Sequence, residues 1–572
     1  MSTSSTLPAA RRTTSGRHVL RFLLPGRGPA ALLALTITAA TALPLAAPQF
    51  TRRLVDGANA GEDTRRLTLI ALAYLALAVA GQGARTVTAW LAGKAAWDGT
   101  NRLREHLAEH TLGLDLAFHG EHTPGELIER VDGDVSAIAD FVVAFLLDVV
   151  AGVLLLCGVI AVVAVVDPRI GLALLVYCAL IGLGMVHAQR LAVPSATRAR
   201  AADATLFGFL EERLAGAEDL RANGAGEHTV RRFHQACAHL WRVGRRASAV
   251  GSVVLAATSV AFAAGTALMA GLSGALSIGT AVLLFQYTLM VRTPFERLID
   301  QLRHYQTALA GVARIGELLA ERRTLTVPAT AEELPATGPL RLELDGVGFS
   351  YGGEDGGPVL RDISLALAPG ETLGLVGRSG SGKTTIARLV ARLYDPTAGA
   401  VRVGGLDLRE VDPASLRDRI AVVTQDVQLF AADVRDNLTL FRPGHDDERL
   451  RAVLAEVGLP AWDLDAPLGK ISAGQAQLLA FARALLADPG LVVLDEVSSR
   501  LDPATERHIG DSTARLLTGR TGVLIAHRLE SLSRVDRIAV LSDGKVVEHG
   551  TREELLADPA GRFARMLAGV RR

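Results

Sequence analysis

Six apolar stretches precede residue 300, and they limit the possible folds of this 572-residue chain more than any other feature. Each stretch is close to the ~20 residues that a helix needs to cross ~30 Å of hydrocarbon. Buried helices of a soluble core are a poor explanation for six runs of spanning length within one half of a chain. The predicted membrane spans are residues 29–49, 67–91, 141–166, 170–189, 249–272 and 276–296.

Residues 377–384, with the sequence GRSGSGKT, fit the phosphate-binding loop pattern G-x-x-x-x-G-K-[ST]. The apolar run 372–376 predicts a buried strand before the loop, and the run 386–393 predicts a helix after it. Such a turn directs backbone N–H groups at an anion, and the helix N-terminus adds its dipole. In this pattern Lys383 reaches the β- and γ-phosphates, and the Thr384 hydroxyl ligates Mg²⁺. The ATP-binding residues predicted here are Gly377, Arg378, Ser379, Gly380, Ser381, Gly382, Lys383, Thr384 and Thr385.

The distribution of arginine indicates how the spans are oriented. Residues 1–28 contain five Arg and neither Asp nor Glu, which favours a cytoplasmic N-terminus. The connection 190–248 is also rich in Arg. The first outer loop favours the opposite orientation, because it contains Arg52, Arg53, Arg65 and Arg66. The phosphate-binding loop decides, because ATP is cytoplasmic and an even number of spans places both ends of the chain on one side.

The connections between the predicted spans are of two kinds. Two outer turns, 167–169 and about 272–277, are very short, whereas the inner connections 92–140 and 190–248 are long and have helical patterns. The spans are therefore predicted to continue as helices below the membrane. Residues 116–120 and 216–220, near the middle of the two inner connections, are candidate contacts to the cytosolic half.

Polar residues within the predicted spans are candidates for substrate contact, because they are costly in hydrocarbon. The competing explanation is a position near the cytoplasmic end of a span, in solvent or paired across helices. That explanation applies to Asp148, Arg85 and His187. The full set of candidates is Gln82, Arg85, Asp148, His187 and Gln286.

Composition excludes several other classes of protein. The formal net charge is zero, so overall charge gives no argument for a nucleic-acid partner, and none is predicted. The three cysteines, Cys157, Cys178 and Cys237, are scattered, which supports neither a disulfide framework nor a zinc site. The apolar run nearest the N-terminus begins late and is long, so a span is predicted there rather than a cleaved signal peptide.

Residues 321–340 break every periodicity and contain Pro328, Pro335 and Pro339, which predicts a linker. The chain then divides into a transmembrane domain at 1–320, the linker, and a nucleotide-binding domain at 341–572. An apolar strand in the second domain, 491–494, ends in Asp495 and Glu496. Two acids at the end of a buried strand need a partner, and Mg²⁺ supplies one for Asp495. Glu496 then stands where a general base can act on water at the γ-phosphate.

The order of these motifs resembles an ATP-binding cassette (ABC), and six spans before a cassette resemble an ABC half-transporter of the exporter type. The resemblance covers nearly the whole chain. It implies an all-α transmembrane six-helix domain followed by an α/β P-loop NTPase domain of the ABC type. It also implies an ATPase that uses ATP and Mg²⁺.

The resemblance assigns roles to individual residues of the cassette. Tyr351 matches the aromatic residue that stacks on adenine, and Gln425 matches the glutamine that touches Mg²⁺ and the attacking water. His527, after another short apolar run, matches the histidine that contacts the γ-phosphate. The predicted catalytic residues are Glu496, His527, Gln425 and Lys383, and the predicted Mg²⁺ ligands are Thr384, Gln425 and Asp495.

Residues 471–475, with the sequence ISAGQ, resemble the family signature L-S-G-G-Q before a predicted helix at 476–486. The resemblance implies that this site closes on ATP held by a second cassette, so the chain is expected to act as a dimer. Ile471 and Ala473 depart from the signature, and the Ala473 methyl group narrows the approach to phosphate. The residues predicted to face the partner's ATP are Ser472, Ala473, Gly474 and Gln475, with Asp502 in the loop at the dimer contact.

The sequence thus predicts an ATP-hydrolysing transporter subunit that exports an amphiphilic small molecule, lipid or peptide by alternating access. We expect a multi-pass protein of the cell membrane, with its N-terminus and ATP-binding domain in the cytoplasm. The altered signature favours a heterodimer with a second half-transporter over a homodimer. Two other functions remain open: an uptake system with the exporter fold, and an ATP-gated regulator or channel that does not pump.

Overall fold

The computed structural model describes residue 22 and residues 26–272, 277–328, 330–351, 357–495, 503–526 and 529–570. The chain forms two compact units. The first contains the chain up to Leu112 together with Pro124–Glu321, and the second contains Gly113–Thr123 together with the chain from Arg322 onward.

The first unit is helical throughout its described residues. Two single turns of π-helix, Glu129–Gly133 and Phe145–Val150, join three helices into one segment, Pro124–Val166. The helices of this half of the chain are α1 (Arg27–Asn59), α2 (Thr64–Leu112), α3 (Leu116–Glu121, in the second unit), α4 (Pro124–Ile128), α5 (Asp134–Ala144), α6 (Ala151–Val166), α7 (Pro168–Ala215), α8 (Ala217–Ala222), α9 (Gly226–Leu272) and α10 (Ile278–Ala320).

Several of these helices are far longer than a bilayer requires. Helices α2, α7 and α9 have 49, 48 and 47 residues, more than twice the ~20 residues of a span. The turn between α6 and α7 is as short as its sequence predicts. Asp167 caps α7 by accepting a hydrogen bond from the Arg169 N–H at 2.8 Å, and Pro168 occupies the first helical position.

Five helical segments are long and apolar enough to cross a membrane: Arg27–Asn59, Thr64–Leu112, Pro124–Val166, Pro168–Ala215 and Gly226–Leu268. Large apolar side chains on them face outward, including Leu35, Val79 and Val165 at 67%, 66% and 87% exposure. This pattern suits helices that pack against lipid. The sixth predicted span, 276–296, begins outside the described residues and continues in α10, which is not among the five. Gln286 and Arg292 interrupt the apolar sequence of α10.

Polar contacts join α1 to α10, at the start of α10 and again farther along both helices. Asp56 on α1 accepts hydrogen bonds from the Gly279 N–H at 2.9 Å and from the Ser277 hydroxyl at 3.0 Å. Tyr287 of α10 is fully buried and donates to the Leu45 carbonyl at 2.7 Å. A side chain at residue 279 would place its Cβ 2.5 Å from the Asp56 Cγ, so only glycine allows this approach.

The second unit contains two sheets among its described residues. An antiparallel sheet has the order β2-β1-β4-β5, and a mostly parallel sheet has the order β10-β9-β3-β8-β7-β6. Its strands are β1 (Leu342–Phe349), β2 (Leu360–Leu367), β3 (Thr372–Gly377), β4 (Ala398–Val403), β5 (Leu406–Asp407), β6 (Ile420–Val423), β7 (Leu491–Asp495), β8 (Thr521–Ile525), β9 (Arg537–Ser542) and β10 (Lys545–Gly550). Its helices after residue 340 are α11 (Lys383–Val390), α12 (Pro413–Arg419), α13 (Val434–Thr439), α14 (Asp447–Glu456), α15 (Ala473–Leu486), α16 (Pro503–Leu517), α17 (Arg552–Ala557) and α18 (Arg562–Val570).

Strand β3 lies in the middle of the parallel sheet, and its composition explains why. All residues from Thr372 to Val376 are buried, as expected for a strand covered on both faces. It pairs in parallel with β8 and β9, and β8 pairs in parallel with β7. The carboxyl ends of β3, β8 and β7 therefore meet at one edge of the sheet, where ligands bind in open α/β sheets.

The linker is irregular, as its prolines predict, but two buried arginines hold it against the cassette. Arg419 at the end of α12 is 9% exposed and donates to the carbonyls of Pro335 at 2.8 Å and Asp488 at 3.2 Å, and to that of Gly338. Arg392, 4% exposed, donates to the Thr326 carbonyl at 2.8 Å. The linker is therefore attached to the cassette at several points along its length.

Arg419→Ala is expected to lower the stability of the second unit by about 2–4 kcal/mol, because it removes a buried side chain and the hydrogen bonds that it donates to three carbonyls. For a unit of this size the loss corresponds to a fall of roughly 5–10 °C in the Tm of its unfolding transition. Calorimetry of the full chain in detergent measures that transition. The matched control is Arg402→Ala, which removes an exposed ion pair with Asp345 at 2.9 Å and should lower the Tm far less. Equal shifts for the two variants would contradict the structural role of Arg419.

Candidate functional site

The phosphate-binding loop connects β3 to α11, as the sequence predicts. Gly380 and Gly382 adopt left-handed backbone conformations, with φ of +81° and +103°. A Cβ at residue 382 would also lie 2.5 Å from a methyl group of Leu360. These conformations and this close approach are available only to glycine, which explains two of the three glycines of the loop.

Lys383 lies inside the curl of the phosphate-binding loop. Its side chain is 5% exposed, and its ammonium donates to the carbonyls of Gly377 at 2.9 Å and Arg378 at 3.2 Å. Residue 383 is also the first residue of α11, so the positive end of the helix dipole points to the same place. The charge of the lysine and the helix dipole therefore act together on an anion held by the loop.

One buried side-chain atom of the phosphate-binding loop lacks a partner among the described residues. The Ser381 hydroxyl makes no hydrogen bond to that part of the chain, although a buried hydroxyl normally makes one. The loop thus combines left-handed glycines, a buried ammonium and an unused hydroxyl. This set fits a phosphate group, which offers several strong acceptor oxygens.

The predicted metal ligands lie at the carboxyl edge of the parallel sheet. Asp495 ends β7, is 8% exposed, and its Oδ1 lies 3.5 Å from the Thr384 hydroxyl. Gln425 follows β6, the neighbour of β7, and its side chain is exposed. The structure therefore brings Thr384 and Asp495 together and places Gln425 beyond the adjacent strand.

Three predicted residues, Glu496, His527 and Asp502, lie outside the described residues. The strands that lead to the first two are described. Asp495 pairs with Ile525, so β7 and β8 end at the same level of the sheet. The Ala526 N–H donates to the Leu375 carbonyl of β3 at 3.1 Å.

Tyr351 lies beside the phosphate-binding loop. Its hydroxyl is 3.0 Å from that of Thr385 and accepts a hydrogen bond from the Arg388 guanidinium at 3.1 Å. The edge of Tyr394 packs against its ring, with centroids 5.3 Å apart. The side chain is 41% exposed, which leaves ring surface for a base. Sequence reasoning missed Arg388 and Tyr394, because neither belongs to a motif.

Tyr351→Ala is expected to raise the KM for ATP by about tenfold, because stacking of a base on an aromatic ring contributes roughly 1–3 kcal/mol. Tyr351→Phe keeps the ring and removes the contacts to Thr385 and Arg388. It should leave the KM within about twofold of the wild-type value if stacking is the role of the residue. ATPase kinetics over a range of ATP concentrations measures both. A larger defect in Tyr351→Phe than in Tyr351→Ala would contradict the stacking role.

The signature residues form the start of α15, three residues earlier than the predicted helix. The Ser472 hydroxyl accepts from the Gln475 N–H at 3.2 Å, and the Gln475 side chain accepts from the Ser472 N–H at 3.0 Å. This is a capping box. Ser472 and Ala473 are exposed, whereas Gly474 is buried. The Ala473 methyl group is therefore accommodated within the chain itself.

Arg483 on α15 is a functional candidate that sequence reasoning missed. It donates to the carbonyls of Asn437 at 2.7 Å and Gln428 at 3.1 Å, and burial lowers the pKa of its guanidinium. The helix that carries the signature thus holds the segment that follows Gln425. An Arg at position 11 of an apolar helix is the only signal in the sequence.

Four of the five polar candidates from the spans line two cavities of the first unit. One cavity, of about 370 Å³, is lined by Arg85 and Asp148, and the other, of about 330 Å³, by Gln82, Arg85 and Gln286. Arg85 and Met290 belong to both, so the cavities adjoin. The fifth candidate, His187, is exposed on α7 and lines neither cavity.

The larger cavity combines charges with an apolar wall. Asp148, on the π-helical turn, accepts hydrogen bonds from Arg297 at 2.8 Å and from Gln301 at 2.9 Å. Arg85 has no ion pair within the part of the chain that the structure describes. Side chains that provide the apolar wall are Ile37, Leu147, Leu155 and Met290.

Comparison with known proteins identifies both halves of the chain. Residues 31–295 match the family model for the ABC transporter transmembrane region, and residues 360–499 match that for the ABC transporter. A bacterial Atm1-family ABC exporter with ATP bound shares the fold. Its solved structure has a TM-score of 0.77 and 23% identity over 95% of this chain and 98% of that chain.

Two named relatives are similar over nearly the whole chain. A multidrug efflux ATP-binding/permease protein of Mycobacterium bovis is 33% identical over 96% of this chain, which spans only 47% of the length of that relative. An ATP-dependent lipid A-core flippase of Thiobacillus denitrificans is 32% identical over 94% of both. This chain therefore belongs to the ABC transporter family, with the architecture of an exporter half-transporter and an ATP-binding domain of its own.

Proposed function

We propose that this chain is a transport ATPase, one subunit of an exporter that moves an amphiphilic compound across the cell membrane. The observation that carries the proposal is the phosphate-binding loop around Lys383, in a chain with five helical segments of membrane-spanning length. Six spans, with the N-terminus and the ATP-binding domain in the cytoplasm, belong to the proposal. The name of the Mycobacterium bovis relative, a multidrug efflux protein, supports the direction of transport.

Hydrolysis transfers the γ-phosphoryl group of ATP to water, and positioning and charge dominate its catalysis. The phosphate-binding loop and the Lys383 ammonium hold the β- and γ-phosphates. The oxygen of the attacking water bonds to the γ-phosphorus while the bond from that phosphorus to the ADP oxygen breaks. Glu496 accepts the proton that the water loses. Gln425 and His527 orient the water and the γ-phosphate.

Magnesium fits the oxygen donors at the carboxyl edge of the sheet, the hydroxyl of Thr384, the amide of Gln425 and the carboxylate of Asp495. The described residues contain no cluster of three or more His, Cys, Asp or Glu side chains that could hold a metal ion. We therefore expect the metal to bind together with the triphosphate. When bound, Mg²⁺ neutralises charge that develops on the phosphate oxygens.

The exposed signature at the start of α15 supports a second cassette as partner. Ser472 and Ala473 face solvent at a helix N-terminus, which is suited to a phosphate presented by another chain. Because the signature differs from the family pattern, we favour a heterodimer with a second half-transporter. Light scattering of the purified chain in detergent tests this, since a stable homodimer with ATPase activity would contradict it.

The two cavities support an amphiphile with an anionic head group as the transported compound. Arg297 is neutralised by Asp148, whereas Arg85 carries an unneutralised charge in a predicted span. An unpaired charge within a membrane is costly, and an anion at this position reduces the cost. The apolar wall of the larger cavity suits the tail of the same compound.

Arg85→Gln is expected to weaken binding of 11-(dansylamino)undecanoic acid by about tenfold, the loss expected for one partly solvated charge pair. The neutral primary amide of the same compound should bind the variant and the wild type equally. Dansyl fluorescence in phosphatidylcholine nanodiscs, corrected for empty nanodiscs, measures both affinities without ATP.

The matched control is Arg292→Gln on α10. Arg292 pairs with Glu296 at 2.7 Å and lines neither cavity, so its variant should bind the acid as the wild type does. Equal affinity of the wild type for the acid and the amide would contradict the anionic head group. Accumulation of the acid in inside-out vesicles, dependent on ATP and on Lys383, tests export itself.

A further inference from the structure

One carboxylate attaches the first inner loop, Gly113–Thr123, to the linker. Oδ2 of Asp115 accepts hydrogen bonds from the Thr324 N–H, from the Thr324 hydroxyl at 2.8 Å and from the Leu325 N–H at 3.3 Å. We call these three hydrogen bonds the Asp115 clasp. Hydrogen bonds to an ionised acceptor are stronger than neutral ones, so the clasp fixes the loop and the linker to each other.

The position of Asp115 makes this use of its carboxylate unusual. The residue is the N-cap of α3, where an Asp side chain normally accepts a hydrogen bond from the first turn of its own helix. Here the side chain makes no capping bond. Its carboxylate binds a segment 209 residues away in the sequence. Because the Asp115 side chain does not cap its own helix, we infer that its role is the contact with the distant segment.

Immediately after the clasp, the linker is attached to the residues that follow α11. The Thr326 carbonyl accepts a hydrogen bond from Arg392 at 2.8 Å, and the same guanidinium donates to the carbonyls of Val411 at 3.2 Å and Arg409 at 3.3 Å. Arg392 is 4% exposed and has a left-handed φ of +47°, a strained conformation for a residue with a side chain. It lies two residues beyond the end of α11, the helix that begins at Lys383.

A continuous set of contacts therefore runs from the phosphate-binding loop to the first inner loop. It passes along α11 to Arg392, across to Thr326, back two residues along the linker, and through the Asp115 clasp to α3. The first inner loop is covalently continuous with α2 on one side and α4 on the other. This set of contacts therefore ends on the segment of chain between α2 and α4.

We propose that Asp115 is a positioning residue that couples α11 to the first inner loop of the same chain through the linker. The proposal rests on the proposed function, since it assigns the route by which ATP binding reaches the membrane helices. It makes the linker a part of the transport mechanism. A brace that only stabilises the fold is the alternative, and it predicts different results in the following experiment.

The experiment compares Asp115→Ala with Glu121→Ala in the full chain, in whichever dimer is active, reconstituted in nanodiscs. Glu121 is an exposed acid of the same segment, at the other end of α3, and serves as the matched control. Both variants also carry Gly120→Cys as a reporter, with Cys157, Cys178 and Cys237 replaced by Ser. Gly120 is exposed, and a Cβ there meets nothing within 4 Å.

Two readouts need no transported compound. The first is the rate of tryptic cleavage after Arg322 and Arg323, which are exposed and directly precede Thr324. Loss of the clasp should raise this rate by about fivefold or more, because proteases act on segments that open locally. The second is the rate of maleimide labelling at Gly120→Cys, with and without ATP and Mg²⁺. We expect ATP to change this rate at least about threefold in the control and to leave it unchanged in Asp115→Ala, with the same affinity for ATP.

Wild-type proteolysis and an undiminished ATP response in Asp115→Ala would overturn the proposal. An ATP response in Asp115→Ala as large as that of the control, despite faster proteolysis, would also overturn it, because the clasp would then be only a brace. Thr324→Val removes one of the three bonds and provides an intermediate test if Asp115→Ala fails to fold. If the wild type neither hydrolyses ATP nor transports, the proposed function fails, whereas the proteolysis comparison still reports whether the clasp holds the linker.

Discussion

Lys383→Ala is expected to lower the ATPase activity of the reconstituted transporter by at least about a hundredfold, the loss typical when one charge-stabilising donor is removed from a site. The buried ammonium lies inside the curl of the phosphate-binding loop, where the phosphates are expected to bind. Its loss also leaves the carbonyls of Gly377 and Arg378 pointing inward without their donor. Both effects weaken the binding of a triphosphate in the loop.

The measurement is phosphate release at saturating ATP, together with binding of a fluorescent ATP analogue. Arg378→Ala is the matched control, because it removes a basic side chain from the same loop at an exposed position. The ATPase activity of Arg378→Ala should stay within about threefold of the wild-type value if catalysis requires a positive charge inside the curl and not merely one near the loop. A Lys383→Ala variant that kept a tenth or more of the activity would contradict the assignment.

Glu496→Gln is expected to lower ATP turnover by about 10²–10⁴-fold, the range for loss of a general base, while ATP binding is retained. The amide is nearly the same size as the carboxylate but does not accept a proton from water. ATP should therefore remain bound without being cleaved, and the two cassettes should remain associated. The expectation rests on the sequence after β7 and on the described position of Asp495, which directly precedes it.

Single-turnover hydrolysis of labelled ATP separates cleavage from binding in this variant. Glu553→Gln, an exposed acid on α17, is the control and should hydrolyse ATP at the wild-type rate. In a heterodimer the variant reports only the site that Glu496 serves, so the measurement is made with each partner tested. Unchanged turnover in every active pairing would refute Glu496 as the base.

The sequence predicts the strand before the phosphate-binding loop well, because one local pattern defines it. The predicted strand 372–376 and the observed strand Thr372–Gly377 agree, because a run buried on both faces has an unambiguous composition. The helix after the phosphate-binding loop begins at Lys383, three residues before the predicted start. The prediction missed this turn because its Lys and Thr residues carry no apolar periodicity.

Contacts between distant segments could not be predicted in the same way. Nothing near Arg392 or Arg419 indicates that each donates to carbonyls of the linker, more than 60 residues earlier in the chain. The prolines of the linker predict its irregular backbone, but not its attachment. The convergence of Gln82, Arg85 and Gln286 on adjoining cavities is equally non-local, because helical rotation and packing determine it.

The number of membrane spans illustrates the limits of composition. Five segments are apolar enough by themselves, whereas α10 contains Gln286 and Arg292 in the part that corresponds to the sixth predicted span. Gln286 lines a cavity instead of facing outward. A helix that contributes polar groups to an internal cavity has a weaker apolar signal than one that faces lipid on most of its surface.

The contact between Asp56 and Gly279 also has a consequence for how the two helices could separate. The carboxylate supplies acceptors for donors at the first turn of α10, a place where a helix lacks partners of its own. Any separation of α1 from α10 at this end would expose those donors, and water would have to replace the acid as their acceptor. Entry of water beside Gly279 would therefore accompany the earliest stage of such a separation. A residue with a larger side chain at position 279 would favour the separated helices from the outset.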